Sequence, residues 1–92
     1  MIRSFRHKAL EHFFRTGSKA DIDTHNAPRL RLQLGMLEAA ASPADMNMPG
    51  WRLHPLRGER EGLWAVRVDR MWRLTFAFRG TDAIDVDYLN CH

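Results

Sequence analysis

One change of period constrains the fold more than any other feature of the chain. Through Ala41 the apolar residues recur at intervals of three and four, whereas from Trp51 onward they alternate with polar ones. The first pattern lines one side of a helix and the second covers one face of a strand. A chain of 92 residues holds one domain with one core, so the two halves must bury their apolar surfaces against each other. The expected fold class is α+β over 1–92, with two N-terminal helices on one face of a small, mostly antiparallel sheet.

In the first half, "RHKALEHFFRTG" sets Ala9, Leu10, Phe13 and Phe14 at helical spacing and stops at Gly17. Residues 17–26 form a polar connection, expected to be flexible. Asn26 is then expected to cap a second helix that tolerates Pro28 in its first turn. Its stripe is Ala27, Leu30, Leu34, Leu37 and Ala41, with Arg29, Arg31, Gln33 and Glu38 away from it. "SPAD", from Ser42 to Asp45, reads as a capped single turn, and "MPG" breaks the chain before Trp51. Ahead of the first helix, "MIRSF" suits a brief edge strand.

The second half gives strands at 51–56, 63–69, 72–79 and 83–89, in that order across the sheet. Keeping the apolar faces together fixes the register, because a slip of one residue would turn each side chain to the wrong face. A three-residue loop at 69–71 pairs Val68 with Trp72, Val66 with Leu74 and Trp64 with Phe76. The same parity pairs Phe78 with Ile84, Phe76 with Val86, Thr75 with Asp87 and Arg73 with Leu89. Arg52 and His54 fall beside Arg67 and Ala65. The face turned away from the helices thus gathers Arg52, His54, Arg67, Arg73, Thr75 and Asp87, with the tail "NCH" leaving next to Arg73.

Composition narrows the chemistry. Cys91 is the one cysteine, so no intramolecular disulfide is available and a reducing cytoplasm fits. No segment reaches the ~20 apolar residues of a membrane span, and the charged start is no secretory signal. Fourteen Lys and Arg against eleven Asp and Glu leave +3. Twelve of those fourteen basic residues are arginine, whose planar fork grips phosphate and carboxylate. His7 and His12 are poorly spaced for a shared metal, no glycine-rich phosphate loop is present, and no serine or cysteine nucleophile is expected to work with a histidine, Cys91 beside His92 being too flexible a pair. No metal or other cofactor is expected.

A polar face carrying histidine and arginines suits phosphodiester chemistry on RNA. The ribose 2′-hydroxyl is its own nucleophile, so the protein need supply only a base, an acid and cations around the phosphate. Plain structural roles compete with this on the residues alone: His54 bonding a loop, Arg73 paired with Asp87, and Arg57 and Arg60 at a solvated hairpin tip.

The motifs "WRLHPLRG" and "WRLTF", together with "SFRHKALEHFF" and the ending "DVDYLNCH", resemble the HigB toxins of the RelE/ParE superfamily, over nearly the whole chain. The resemblance implies the fold drawn above and a ribosome-dependent endoribonuclease that cuts mRNA. It makes His54 and His92 the acid–base candidates and puts Arg73 on the scissile phosphate. Arg52, Arg57, Arg67 and Asn90 are the RNA- or phosphate-binding candidates, Arg57 standing where the family often has lysine. The family commonly ends Asp-Tyr-His, whereas this chain ends Asn90-Cys91-His92. The implied partners are a HigA-like helix-turn-helix antitoxin, the ribosome and its mRNA, with operator DNA reached through the antitoxin complex and no membrane. Two alternatives stay open: a weakly active relative that mainly binds its antitoxin, and a ParE-type inhibitor of gyrase.

Overall fold

The change of period falls where two helices give way to a four-stranded antiparallel sheet. The computed structural model describes residues 1–90, so Cys91 and His92 lie outside the described residues. Helix α1 spans Lys8–Thr16 and α2 spans Ala27–Ala39. A 3-10 turn at Pro43–Met46 leads to strands β1 (His54–Pro55), β2 (Trp64–Arg67), β3 (Trp72–Arg79) and β4 (Asp82–Asn90), paired in that order.

Helix α1 begins where the His7 Nδ1 accepts the Leu10 N–H at 3.0 Å, and it ends at Gly17, whose φ of 79° a side chain would strain. The second helix starts differently from expectation. Asn26 gives it no side-chain cap; the side chain is buried and its Nδ2 donates to the Tyr88 hydroxyl at 2.7 Å. Pro28 lies in the first turn, where a missing N–H costs nothing. Leu30, Leu34 and Leu37 are buried as the stripe requires, but Ala40 closes it while Ala41 is exposed. Gln33, expected off the stripe, is fully buried because its Nε2 donates to the Arg67 carbonyl at 2.9 Å. "SPAD" forms its capped turn, with the Asp45 carboxylate accepting the Ala41 and Ser42 amides.

Residues 17–26 are not a loose connection. They form successive turns bonded through Lys19 and Asp23, with Ile22 sunk into the core. That core joins Leu10 and Phe13 of α1, Leu30, Leu34 and Leu37 of α2, and Val66, Leu74, Phe76, Val86 and Tyr88 of the sheet. Each such side chain stabilises the fold by about 1.5–3 kcal/mol when wholly buried, which is why the helices stay on this face.

The register between β2 and β3 is the expected one, from Trp64 opposite Phe76 to Arg67 opposite Arg73. His54 stands opposite Ala65 as expected, but β1 is only two residues long. Arg52 lies outside it at a φ of 52°, and the Arg67 amide bonds to the carbonyl of Trp51 instead. Between β3 and β4, Arg73–Leu89 and Thr75–Asp87 pair as expected, whereas Phe78 meets Ala83 rather than Ile84. The cause is a bulge: Asp85, at a φ of 55°, inserts one extra residue into β4. Ala83 is therefore buried and Ile84 only partly so. The N-terminal segment runs parallel to β4 along its outer edge, with bridges at Ile2–Ala83 and Phe5–Val86.

Candidate functional site

The sheet face turned away from the helices is organised in rows. His54, Ala65, Thr75 and Asp87 are mutually paired across the four strands, and Arg67, Arg73 and Leu89 form the next row. Directly paired residues in antiparallel strands share a face, so His54, Arg67 and Arg73 project to the same side. Two strand spacings and one two-residue step place the His54 and Arg73 backbones on the order of 12 Å apart. Between them the row holds Ala65 and Thr75, short side chains that are both buried beneath their neighbours.

His54 is exposed, and its ring is held from below: Nδ1 lies 2.7 Å from the Arg52 carbonyl oxygen. A carbonyl only accepts, so this contact assigns the proton to Nδ1 and leaves the Nε2 lone pair of the neutral ring for another proton. Pro55, directly after it in β1, limits the backbone of His54 to extended conformations.

Arg67 and Arg73 face each other as like charges, an arrangement that weakens a sheet unless something neutralises it. Both turn to one backbone oxygen. The Asp69 carbonyl accepts Arg73 Nη1 at 2.9 Å and Arg67 Nε at 3.3 Å, and the Trp72 carbonyl accepts Arg73 Nη1 at 3.1 Å. Among the described residues the ion pairs involve Arg3, Arg15 and the N-terminal amine, so Arg52, Arg57, Arg67 and Arg73 form none. Arg73 thus has no bond to Asp87, whose Oδ1 accepts its neighbour's amide at Tyr88. The pair is half-buried and has no ion-pair partner among the described residues, a state in which arginine can still accept an anion.

The remaining candidates are spread around this centre. Arg57 is exposed and opens the 3-10 turn Gly58–Arg60 of the β1–β2 hairpin, where Glu59, Arg60 and Glu61 are solvated. Arg52 is exposed at the foot of β1, joined to the site through its carbonyl. Asn90 ends β4 opposite Trp72, one residue along from Arg73. His92 lies outside the described residues, so its approach to His54 is untouched by the geometry.

Sequence reasoning treated Asp69 as one of three loop residues and missed its place in the site. Its Oδ1 accepts the amides of Met71 at 2.8 Å and Trp72 at 2.7 Å. Burial pushes its carboxyl up, but those two bonds, with Asn26 and the positive side of His25, outweigh it and hold the group below the usual carboxylate range. The available signal was an aspartate opening a short loop, the position from which Asx turns form.

A cavity of about 620 Å³ adjoins the Arg67 end of this row, lined by His25, Arg29, Leu32, Arg67 and Asp69 among others, and neither His54 nor Arg73 lines it. His54 and Arg73 line neither this cavity nor the smaller one beside Phe13 and Phe14, so the face that carries them holds no enclosed pocket among the described residues. Among the described residues no group of His, Cys, Asp and Glu could hold a metal ion, and no helix is long and apolar enough to cross a membrane.

This fold is that of a toxin class. Superposition on crystal structures of YafQ from E. coli gives a TM-score of 0.61 for a point mutant and 0.54 for the protein of strain BL21(DE3), each at 13% identity and covering 98% of this chain and 93% of the other. The family model for HigB, the RelE-like toxin of a type II toxin-antitoxin system, matches residues 3–92. Endoribonuclease HigB of Proteus vulgaris is 35% identical over 92 residues, the full length of both chains. The chain belongs to the HigB-like family of RelE-like toxins, and as a type II toxin it has an antitoxin for a partner.

Proposed function

We propose that the protein is a ribosome-dependent endoribonuclease that cleaves mRNA by 2′-hydroxyl attack. The observation that carries this reading is the arginine pair Arg67–Arg73, without an ion-pair partner among the described residues, on the same sheet face as a histidine whose Nε2 is left to the substrate. Support also comes from the Proteus vulgaris relative, which is named an endoribonuclease.

In this reading His54 Nε2 removes the 2′-hydroxyl proton as the oxygen attacks the adjacent phosphorus. Arg73, aided by Arg67, neutralises the charge that builds on the non-bridging oxygens. Protonated His92 gives its proton to the departing 5′-oxygen, leaving a 2′,3′-cyclic phosphate and a free 5′-hydroxyl. Arg52, Arg57 and Asn90 hold flanking phosphates or bases. The same logic permits exchange of the two histidine roles, and with one histidine as base and the other as acid the rate is bell-shaped in pH near neutrality.

The antitoxin is taken to be a HigA-like helix-turn-helix protein that reaches operator DNA as a complex, with the toxin acting in the cytoplasm on ribosomes. The tail Asn90-Cys91-His92 favours a second reading, a weakly active toxin that mainly binds its antitoxin and tunes operon repression. Asparagine does not titrate where the family commonly has aspartate, and cysteine does not stack where it has tyrosine. Inhibition of gyrase, as in ParE-type toxins, is a further alternative that a supercoiling assay exposes.

Mapping transcript ends in growing cells that express the protein without antitoxin separates these readings. New 5′-hydroxyl ends that vanish in His54→Ala, Arg73→Ala and His92→Ala support the nuclease. Growth arrest with unchanged transcript ends overturns it.

A further inference from the structure

We propose that Asp69 is a positioning residue for cleavage, holding the turn whose backbone oxygens aim Arg73 at the phosphate. The inference rests on the endoribonuclease reading and names a residue which that reading does not use.

The β2–β3 loop is short, and Asp69 closes it twice. Its Oδ1 takes the Met71 and Trp72 amides, while its own amide and that of Val68 donate to the Trp72 carbonyl, at 3.3 and 3.0 Å. With both ends tied, the Asp69 and Trp72 carbonyls stay on the side where Arg73 Nη1 meets them. Those two bonds use one nitrogen. The Nε and Nη2 edge of Arg73, which can grip two oxygens of one phosphate, has no protein partner among the described residues.

A free arginine side chain has many rotamers, so holding one nitrogen before the substrate arrives removes part of the ordering cost of the transition state. The turn is braced from the core side as well. Trp72 stacks on Tyr88 with centroids 4.4 Å apart, and Tyr88 is bonded to the buried Asn26. Displacing the Asp69 carboxylate therefore frees the turn and, with it, the direction of Arg73, without touching His54.

The test compares Asp69→Ala, Asp69→Asn, Arg73→Ala and the Asp69→Ala/Arg73→Ala double variant in single-turnover cleavage of mRNA on purified ribosomes, with antitoxin binding as the folding control. Asparagine keeps the Oδ1 acceptor. The expected result is a fall of about 10- to 100-fold in the maximal cleavage rate constant for Asp69→Ala, at a nearly unchanged half-saturating ribosome concentration. Asp69→Asn should stay within about threefold of wild type, and Asp69→Ala should cost under about twofold once Arg73 is already alanine. Additive losses in the double variant, or no recovery with asparagine, overturn the proposal. If wild-type protein cuts no mRNA, the endoribonuclease reading fails. The positioning is then read from the Arg73 guanidinium by NMR: resolved Nη1 protons in wild type and Asp69→Asn that average in Asp69→Ala support it, and averaged protons in all three overturn it.

Discussion

His54 keeps its Nδ1 2.7 Å from the carbonyl oxygen of Arg52, a residue whose own backbone adopts a φ of 52°. A left-handed conformation costs a side-chain-bearing residue about 1–2 kcal/mol, so the chain accepts strain at the position that fixes the histidine tautomer. Arg52 was expected to bind RNA through its guanidinium as a strand neighbour of Arg67. It lies outside β1 and meets His54 through its main chain, a contribution that can be separated from that of the guanidinium.

Replacing Arg52 by glycine keeps the carbonyl and removes the strain. Because glycine also loses more backbone freedom on folding, the net gain expected in urea denaturation is about 0.5–1 kcal/mol. The proton should remain on His54 Nδ1, as read from its imidazole nitrogen shifts. Binding to single-stranded RNA should lose about 0.7 from the slope of log affinity against log salt if the guanidinium meets a phosphate. A destabilised variant would show that the left-handed backbone carries no strain.

Asp69 also predicts an acid dependence of stability. Burial raises its carboxyl pKa, yet the amides of Met71 and Trp72, helped by Asn26 and His25, bring it below the usual value. A depressed folded-state pKa stabilises the native state above the unfolded carboxyl value of about 3.9, and that contribution disappears as pH falls through the folded value. Asp69→Asn should therefore be less stable than wild type at neutral pH, with the gap closing below about pH 4. A gap of constant size between pH 7 and pH 3 would mean that the charge itself contributes nothing.

Tyr88 links the start of α2 to the sheet. Tyr88→Phe removes one of the acceptors of the buried Asn26 Nδ2, which also bonds to the Asp69 carboxylate, at an expected cost of about 1–3 kcal/mol. Burial pushes the phenol above its ordinary range, the negative charges of Asp69 and Asp23 add to this, and the Asn26 bond opposes it. A raised folded-state pKa gives stability that is complete below about 10 and is lost as pH rises through the folded value. The difference between wild type and Tyr88→Phe should narrow in alkaline solution, and a widening gap would contradict that sign.

The parts of this molecule that could be read from sequence are those governed by burial. Alternation located β3 at its observed bounds and set the Trp64–Phe76 register, because a slip there would expose Leu74 and Phe76. Parity also put His54, Arg67 and Arg73 on one face. What escaped depends on polar atoms that choose between equivalent local partners. Asn26 is a good cap by type but bonds to Tyr88, 62 positions away, and Gln33 follows the Arg67 carbonyl into the core. Positive φ at Arg52 and Asp85 leaves no trace in a pattern of apolar residues, since neither is glycine. The catalytic assignment came from the resemblance rather than from spacing, and the half of it that involves His92 falls outside the described residues.

The bulge in β4 yields the last prediction. Asp85 is the residue by which the β3–β4 register changes, from Thr75–Asp87 to Ala77–Ile84. Deleting it would make the ladder regular while keeping Ala83, Val86 and Tyr88 on the core face, so the sheet should survive. What the bulge provides lies on its outer edge: the Asp85 amide donates to Ser4 Oγ at 2.8 Å and the Val86 amide to the Ser4 carbonyl at 3.1 Å. A two-for-one step in a strand re-aims its amides, here toward the N-terminal segment that runs parallel to β4. The deletion variant should therefore keep slow hydrogen exchange at Leu74 and Phe76 while exchange at the Arg3 and Arg6 amides, bonded to Ala83 and Val86 in the intact chain, speeds up at least tenfold, a loss of about 1.4 kcal/mol of local protection. Faster exchange throughout β3 would instead show that the bulge holds the sheet register, and unchanged exchange at Arg3 and Arg6 would show that the N-terminal segment docks without it.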